Sequence, residues 1–274
     1  TYDSDALALM ENNPDLSERI ERLDYGETDP EAIIIDHKDK MAADFPALNE
    51  VDYSIKYVPE VLADYMAPAF YLIPPIDATT DNTIYINNKR LGVEERYTTL
   101  AHEGYPGHLY QGNYNLGRVS PLRYTIDFNG YSEGWGFYVE QFSYDWTEYA
   151  QNDPACADYF KLDNRFGIAV MSRIDIGIHY EDWTIAKTRE YLLNYVEFSE
   201  EETRDLYRDI AQNPGGYLRY FAPYLKFMEL LDKAQEEMGE DFVLKEFHRA
   251  ILDVGPSYFD EVERAVDRYI ATAD

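Results

Sequence analysis

Two histidines stand six positions apart in the run Ala101-His-Glu-Gly-Tyr-Pro-Gly-His108. The familiar zinc-peptidase motif is His-Glu-x-x-His, whose spacing puts both imidazoles on one face of a helix. Here the spacing is two residues longer, and on a regular helix the two side chains would point about 120° apart. Pro106 removes a backbone donor, and Gly107 permits backbone angles that other residues avoid. We therefore predict a widened or broken helix between His102 and His108, with both imidazoles converging on one metal ion.

A glutamate further along the chain would complete a set of zinc ligands. Catalytic zinc sites use three protein ligands and leave a fourth position for water. The run Gly130-Tyr-Ser-Glu-Gly-Trp-Gly-Phe-Tyr-Val-Glu140 carries two glutamates seven residues apart, which share one face of a helix. Gly134 and Gly136 flank Glu133 and allow close approach of another helix. We therefore predict Glu133 as the third ligand, while Glu140 is placed to orient a ligand from behind.

Glu103 follows the first histidine directly and would not face the metal ion. It is placed to accept a proton from the attacking water as a general base. An isolated His-Glu pair has no such meaning, because a helical histidine is more often packed or solvated. The Pro-Gly break, the second histidine and the downstream glutamate together favour a zinc-dependent peptidase. Two alternatives stay open: a zinc hydrolase of non-peptide amides, and an incomplete fragment that only binds metal or peptide.

The composition narrows the range of partners. The chain of 274 residues has 53 acidic and 24 basic residues, and its net charge of -29 argues against binding to nucleic acid or anionic lipid surfaces. Its single cysteine, Cys156, excludes an intramolecular disulfide and leaves histidines and carboxylates as metal ligands. Because no run approaches about 18 uncharged apolar residues, we expect no membrane span. We expect a soluble protein with a peptide substrate, and the oligomeric state stays open.

A mainly helical domain would position these residues. Hydrophobic periodicity predicts helices at roughly 15–24, 54–66, 93–104, 130–150, 157–180, 184–197, 200–212, 217–238, 241–252 and 257–272. Two short runs, Ala69–Ile73 and Thr83–Asn87, are aromatic or β-branched and bounded by turn residues, which predicts a small β-sheet. We predict one domain over residues 1–274, with the segment before residue 68 as a candidate separate helical layer.

Four ordered motifs resemble the bacterial DUF885 family, which is placed among the zincin-like peptidases. The motifs are Thr99-Leu-Ala-His-Glu-Gly-Tyr-Pro-Gly-His-Leu-Tyr-Gln111, Ser132-Glu-Gly-Trp135, Arg173-Ile-Asp-Ile-Gly-Ile-His-Tyr-Glu-Asp-Trp183 and Asn213-Pro-Gly-Gly-Tyr-Leu-Arg-Tyr220. The resemblance covers roughly residues 68–265. Family members are usually about twice as long as this chain, with a helical N-terminal half that has no counterpart here. The resemblance implies a zincin-like fold in a bacterial protein that is either cytoplasmic or secreted to the cell surface.

The resemblance also implies a role for each matching residue. It implies metal ligation by His102, His108 and Glu133 and a general base at Glu103. In the later motifs, His179 and Tyr220 would donate hydrogen bonds to a substrate carboxylate or to the tetrahedral oxyanion. Arg173 and Asp175 would pair with each other or support the site. The chain departs from the family pattern at Gly216 and Phe221, where glutamine and lysine are usual, so the fourth motif matches least well.

The strand Thr83–Asn87 precedes the predicted metal-binding helix by about fifteen residues. In zincin-like folds a strand in that place borders the cleft and pairs with the substrate backbone. An ordinary buried strand is the alternative. The sequence does not separate the two.

Overall fold

Helices account for most of the fold, and the strands form one small sheet. The structure, a computed structural model, describes residues 2–75, 77–124, 126 and 128–273. The helices are α1 (Tyr2–Asn12), α2 (Leu16–Glu21), α3 (Pro30–Met41), α4 (Val93–Glu103), α5 (His108–Asn115), α6 (Asn129–Ser143), α7 (Glu148–Asn152), α8 (Pro154–Tyr180), α9 (Ile185–Leu192), α10 (Glu200–Gln212), α11 (Leu218–Met238), α12 (Leu244–Val254) and α13 (Phe259–Ile270), and the strands are β1 (Tyr53–Tyr57), β2 (Ala69–Leu72) and β3 (Asn82–Ile86). This confirms the predicted mainly α-helical fold with a small sheet. Within these described ranges, no helix has the length and apolar character that crossing a membrane requires.

The sheet has the strand order β1-β3-β2, so β3 is the central strand. β1 runs parallel to β3 and β2 runs antiparallel to it, with Ile55 and Tyr71 on either side of Ile84. The predicted helix over 54–66 is therefore wrong where the chain forms β1. Pairing with β3 satisfies the backbone groups of this segment. Such pairing joins residues far apart in the sequence, so local periodicity does not reveal it.

Helices α4, α6 and α11 meet in the main hydrophobic core. Trp135 and Tyr131 of α6 and Phe227 of α11 are fully buried there. Burial of a side chain such as Phe227 stabilises the fold by about 1.5–3 kcal/mol. The polar ends of the aromatic residues have partners: Trp135 Nε1 donates to the carbonyl of Pro106, and the Tyr131 hydroxyl donates to that of Ile251. The aromatic content of the chain thus serves the core that holds α4 against α6.

The segment before residue 68 contributes to more than one cluster of the fold. α3 buries Ile33 and Ile34 in the main core and packs against α4. α1 and α2 instead pack against α8, where Leu16 and Cys156 are buried in a smaller cluster. α3 and the sheet therefore support α4, the helix that carries the first predicted metal ligand.

Candidate metal centre

The helix ends between the two predicted histidine ligands. α4 ends at Glu103 and α5 begins at His108, which confirms the predicted break. The amide of Gly107 donates to the carbonyl of Ala101 at 2.9 Å and folds the connecting segment back onto α4. A β-carbon at Gly107 would lie 1.7 Å from the carbonyl oxygen of His102, so this tight turn requires glycine.

The break brings the imidazoles of His102 and His108 together, with ring centroids 4.8 Å apart. Oε2 of Glu133, on α6, lies 3.6 Å from Nε2 of His102 and 3.3 Å from Nε2 of His108. Both separations exceed the usual N–H···O distance of about 2.7–3.2 Å. They are close to the edge of a tetrahedron, roughly 3.3–3.4 Å, whose central ion has ligands at about 2.0–2.1 Å. The three predicted ligands therefore converge on one point with spacings that fit zinc.

Glu103 lies next to the converging histidines. Ligand atoms from His102, Glu103 and His108 are all within 4.8 Å of one another. Oε2 of Glu103 accepts a 2.7 Å hydrogen bond from the backbone amide of Tyr71 on β2. Burial raises the pKa of Glu103, although the two histidines act to lower that pKa. A carboxylate with a raised pKa, held in place beside the ligands, is suited to take a proton from water.

Glu140 holds the imidazole of His102 from the side away from Glu133. Oε2 of Glu140 lies 2.9 Å from Nδ1 of His102, and its Oε1 accepts a hydrogen bond from Asn164 at 3.2 Å. When His102 is neutral, donation from Nδ1 to Glu140 would leave Nε2 available to a metal ion. Glu140 therefore contacts a predicted ligand, His102, as its place on the same helical face as Glu133 predicts.

The charges in the site favour a bound cation. Burial acts to raise the pKa of Glu133, but His102 and His108 hold it well below its usual range. Burial acts to lower the pKa of His102, but Glu133 and Glu140 raise it well above its usual value. A metal ion binds the unprotonated imidazole nitrogen, so it would displace a proton from His102. Metal binding at this site would thus be coupled to proton release.

Gly136 of α6 leaves the space that the His102 imidazole occupies. A β-carbon at Gly136 would lie 2.6 Å from Nε2 of His102. We therefore expect Gly136→Ala to displace the ring and reduce the zinc content of the purified protein, while circular dichroism shows an intact fold. The control is Gly167→Ala in α8, where a β-carbon meets no atom within 4 Å. Gly167→Ala should keep full zinc content and stabilise the helix by about 1 kcal/mol. Full zinc content in Gly136→Ala would contradict a zinc ligand His102 whose imidazole lies against Gly136.

Tyr220 lies in the first turn of α11, close to the predicted ligands. Its ring centroid is 6.1 Å from that of His102. Burial and the charge of Glu133 raise the pKa of the Tyr220 phenol, and Arg219 offsets only part of this effect. The hydroxyl is therefore protonated at neutral pH and able to donate a hydrogen bond. The structure thus brings Tyr220 to the site, although its motif matches the family least well.

His179 lies in the last turn of α8 and contacts Asp175 rather than the predicted zinc ligands. Its Nδ1 is 2.8 Å from a carboxylate oxygen of Asp175. The same carboxylate accepts hydrogen bonds from the amides of Gly215 and Tyr217 at 3.0 and 3.2 Å. Asp175 therefore joins His179 to the turn that precedes Tyr220. This contact gives the third and fourth motifs a common anchor.

Arg173 does not pair with Asp175, so that part of the prediction is wrong. Its Nη2 lies 2.8 Å from Oε2 of Glu181, and its guanidinium stacks over the ring of Trp183 at 4.5 Å. Arg173 and Asp175 are two positions apart in α8, and side chains at that spacing do not face each other. Asp175 instead faces the turn before α11.

The strand that borders the site is β2. The sequence leaves open whether Thr83–Asn87 borders the cleft or is an ordinary buried strand. β3 lies between β1 and β2 and is paired on both sides, so it has no free edge for a substrate. The buried-strand alternative is therefore correct for β3. β2 is an edge strand, and its Tyr71 amide touches Glu103. β2, not β3, is thus the strand whose backbone contacts the site.

Two groups at the site lie outside the set that the sequence predicts. Nε of Arg219 lies 3.8 Å from Oε1 of Glu133, and the amide of Tyr71 binds Glu103. Arg219 directly precedes Tyr220, and this place within the fourth motif is its signal in the sequence. The contact of Tyr71 depends on the position of the sheet and has no local signal.

The fold and the site together define a mainly helical protein with a cluster formed by His102, Glu103, His108 and Glu133. The chain belongs to the DUF885 family of bacterial proteins of unknown function, whose family model matches residues 5–266. This confirms the family that the four motifs indicate. No match was found among curated proteins.

Two solved structures resemble this chain. A putative lipoprotein from Colwellia psychrerythraea is 26% identical, with a TM-score of 0.75 over 89% of this chain and 42% of that protein. A putative lipoprotein of unknown function from Shewanella oneidensis is 15% identical, with a TM-score of 0.65 over 96% of this chain and 55% of that protein. At 15% identity the likeness shows the fold alone. This chain spans about half the length of the two solved structures.

Proposed function

We propose that this chain carries the catalytic site of a zinc-dependent metallopeptidase. The observation that carries the proposal is the convergence of His102, His108 and Glu133, with ligand spacings of 3.3 and 3.6 Å that fit a tetrahedral ion. Three protein ligands leave a fourth position open, as in catalytic zinc sites. Glu103 favours a catalytic over a structural zinc site, because a structural site has no need of a buried carboxylate beside its ligands.

The residues around the ligands supply the remaining parts of a hydrolytic reaction. Zinc held here would polarise the scissile carbonyl and lower the pKa of the attacking water. Glu103 takes the proton from that water and delivers it to the leaving amine. Tyr220 keeps its hydroxyl proton and donates a hydrogen bond to the oxygen on which negative charge develops. Glu140, 2.9 Å from Nδ1 of His102, would hold the neutral imidazole in the tautomer whose Nε2 binds the ion.

The edge strand next to Glu103 favours a peptide over another amide as substrate. β2 is an edge strand beside the site, and an extended peptide can add to such an edge through the backbone groups that Glu103 does not occupy. A small non-peptide amide would not use this feature. Zinc hydrolysis of other amides is therefore the second candidate, and a substrate panel separates the two.

We also propose a location at the cell envelope or outside the cell. Two solved structures that resemble this chain are described as putative lipoproteins. Fractionation of the source cells tests this location. Recovery of the protein with the membrane or secreted fraction would support it, and recovery with the cytoplasmic fraction would contradict it.

A chelation experiment tests the proposed function directly. The purified chain is incubated with a panel of unstructured peptides and non-peptide amides, and the products are identified by mass spectrometry. We expect peptide cleavage that a chelator abolishes and that added zinc restores. Cleavage that survives complete metal removal would contradict the proposal. If the zinc-loaded chain is inactive while a full-length relative is active, the chain is a binding fragment.

A further inference from the structure

Arg219 places a positive group with an unsatisfied donor at the edge of the metal centre. Its Nε is buried and has no hydrogen-bond partner among the described residues. Oε1 of Glu133 is 3.8 Å away, which is too far for a hydrogen bond. The guanidinium carbon lies 5.3 Å from the centre of the Tyr220 ring, and about a third of the side chain (33%) is exposed. Arg219 thus lies beside Glu133 and Tyr220 with one buried donor, its Nε–H, that no described residue accepts.

The two oxygens of Glu133 have different surroundings. Oε2 faces His102 and His108, and Oε1 faces Arg219. A metal ion at Oε2 would share the negative charge of Glu133. Glu133 would then neutralise the positive charge of Arg219 less. An unsatisfied buried donor of a charged group is costly unless a ligand completes it. The ligand expected beside Arg219 is therefore an anion.

A carboxylate is the anion that a peptide can bring to this position. The guanidinium group presents its N–H donors in a planar fork that matches the two oxygens of a carboxylate. Arg219 and the metal ligands share Glu133, so the bound carboxylate would lie close to the scissile bond. An extended chain advances roughly 3.3–3.6 Å per residue, which places the carboxylate one or two residues beyond the cleaved bond.

We propose that Arg219 binds the free C-terminal carboxylate of the substrate, so that the enzyme removes one or two residues from the C-terminus of a peptide. This proposal rests on the proposed metallopeptidase function and specifies its substrate class. An internal segment of a long polypeptide carries no α-carboxylate at that position and would be a poor substrate.

Matched peptides test this proposal. Each sequence is made with a C-terminal carboxylate and with a C-terminal carboxamide, and kcat/KM is measured for both. We expect the unmodified protein to favour the carboxylate form by roughly 10- to 100-fold, the range for a hydrogen bond to a charged group. Arg219→Gln should lose most of this preference, and Arg219→Lys should keep part of it. The control is Arg208→Gln, which removes an exposed arginine paired with Asp205 on α10 and should leave the preference unchanged.

Other outcomes would overturn the role of Arg219. Equal loss on both peptides in Arg219→Gln would place the guanidinium at the developing oxyanion. Loss of zinc in Arg219→Gln would instead make it a positioning residue for Glu133. No preference in the unmodified protein would exclude carboxylate recognition. If the unmodified protein cleaves neither peptide, the proposed function fails. Calorimetry then measures binding of both peptides to zinc-loaded Glu103→Gln, with and without Arg219→Gln. This comparison still decides whether Arg219 selects the carboxylate form.

Discussion

Replacing Glu103 with glutamine is expected to leave the metal in place and to reduce turnover by about 10²- to 10⁴-fold, the usual contribution of a positioned general base. Glutamine has the same shape, and its carbonyl oxygen can still accept the hydrogen bond that the Tyr71 amide donates to Glu103. The amide group does not take up a proton at neutral pH, so the attacking water is no longer activated. Zinc content and kcat/KM on the best peptide, measured on the same preparation, check both parts of this result.

The control for Glu103→Gln is Glu94→Gln, which removes an exposed carboxylate from the first turn of the same helix. Glu94→Gln should retain both zinc and activity. Loss of zinc in Glu103→Gln would show that Glu103 is itself a ligand, and the roles would need to be reassigned. Full activity in Glu103→Gln would exclude the proposed mechanism.

Removal of either histidine ligand is expected to have the second large effect. His102→Ala and His108→Ala each leave two protein ligands for the ion. Removal of a residue that only supports a ligand lowers metal affinity by roughly 10- to 100-fold. The two histidine variants should lose more zinc affinity than this. Glu140→Gln provides that smaller reference effect, because Glu140 contacts His102 and not the expected ion position. Zinc dissociation constants from competition with a chromophoric chelator rank the variants.

His179→Ala is the matched control for the two histidine variants. It removes an imidazole that belongs to another motif and contacts Asp175. We expect His179→Ala to keep zinc affinity near that of the unmodified protein. Tight zinc binding in His108→Ala, together with weak binding in His179→Ala, would show that His179 and not His108 is the second histidine ligand.

The break at the metal centre was predictable because its causes are local. Pro106 cannot continue the hydrogen-bond pattern of a helix, and Gly107 allows the tight turn that places a backbone amide on Ala101. The positions of Glu133 and Glu140 follow from helical periodicity, which also depends only on nearby residues. The strands near residues 69–73 and 83–87 were predictable from their β-branched and aromatic composition and their flanking turns.

The remaining features depend on contacts between distant parts of the chain. Local periodicity predicts helix where β1 forms and does not reveal the strand, because β1 pairs with a segment about 30 residues away. Local periodicity also does not predict α3, whose Ile33 and Ile34 pack in the main core, or α5, which begins at His108 after the break. The contact between Arg219 and Glu133 forms only when α11 packs against α6. No local pattern in the sequence carries this information.

The most direct test of the metal centre is zinc analysis of the purified chain combined with X-ray absorption spectroscopy at the zinc edge. We expect about one zinc ion per chain, with two imidazole nitrogens and carboxylate oxygen at about 2.0–2.1 Å. In His108→Ala, zinc should be lost, or one imidazole should disappear from the spectrum of any zinc that remains. A chain that takes up no zinc, or an unchanged two-imidazole spectrum in His108→Ala, would contradict the metal centre formed by His102, His108 and Glu133.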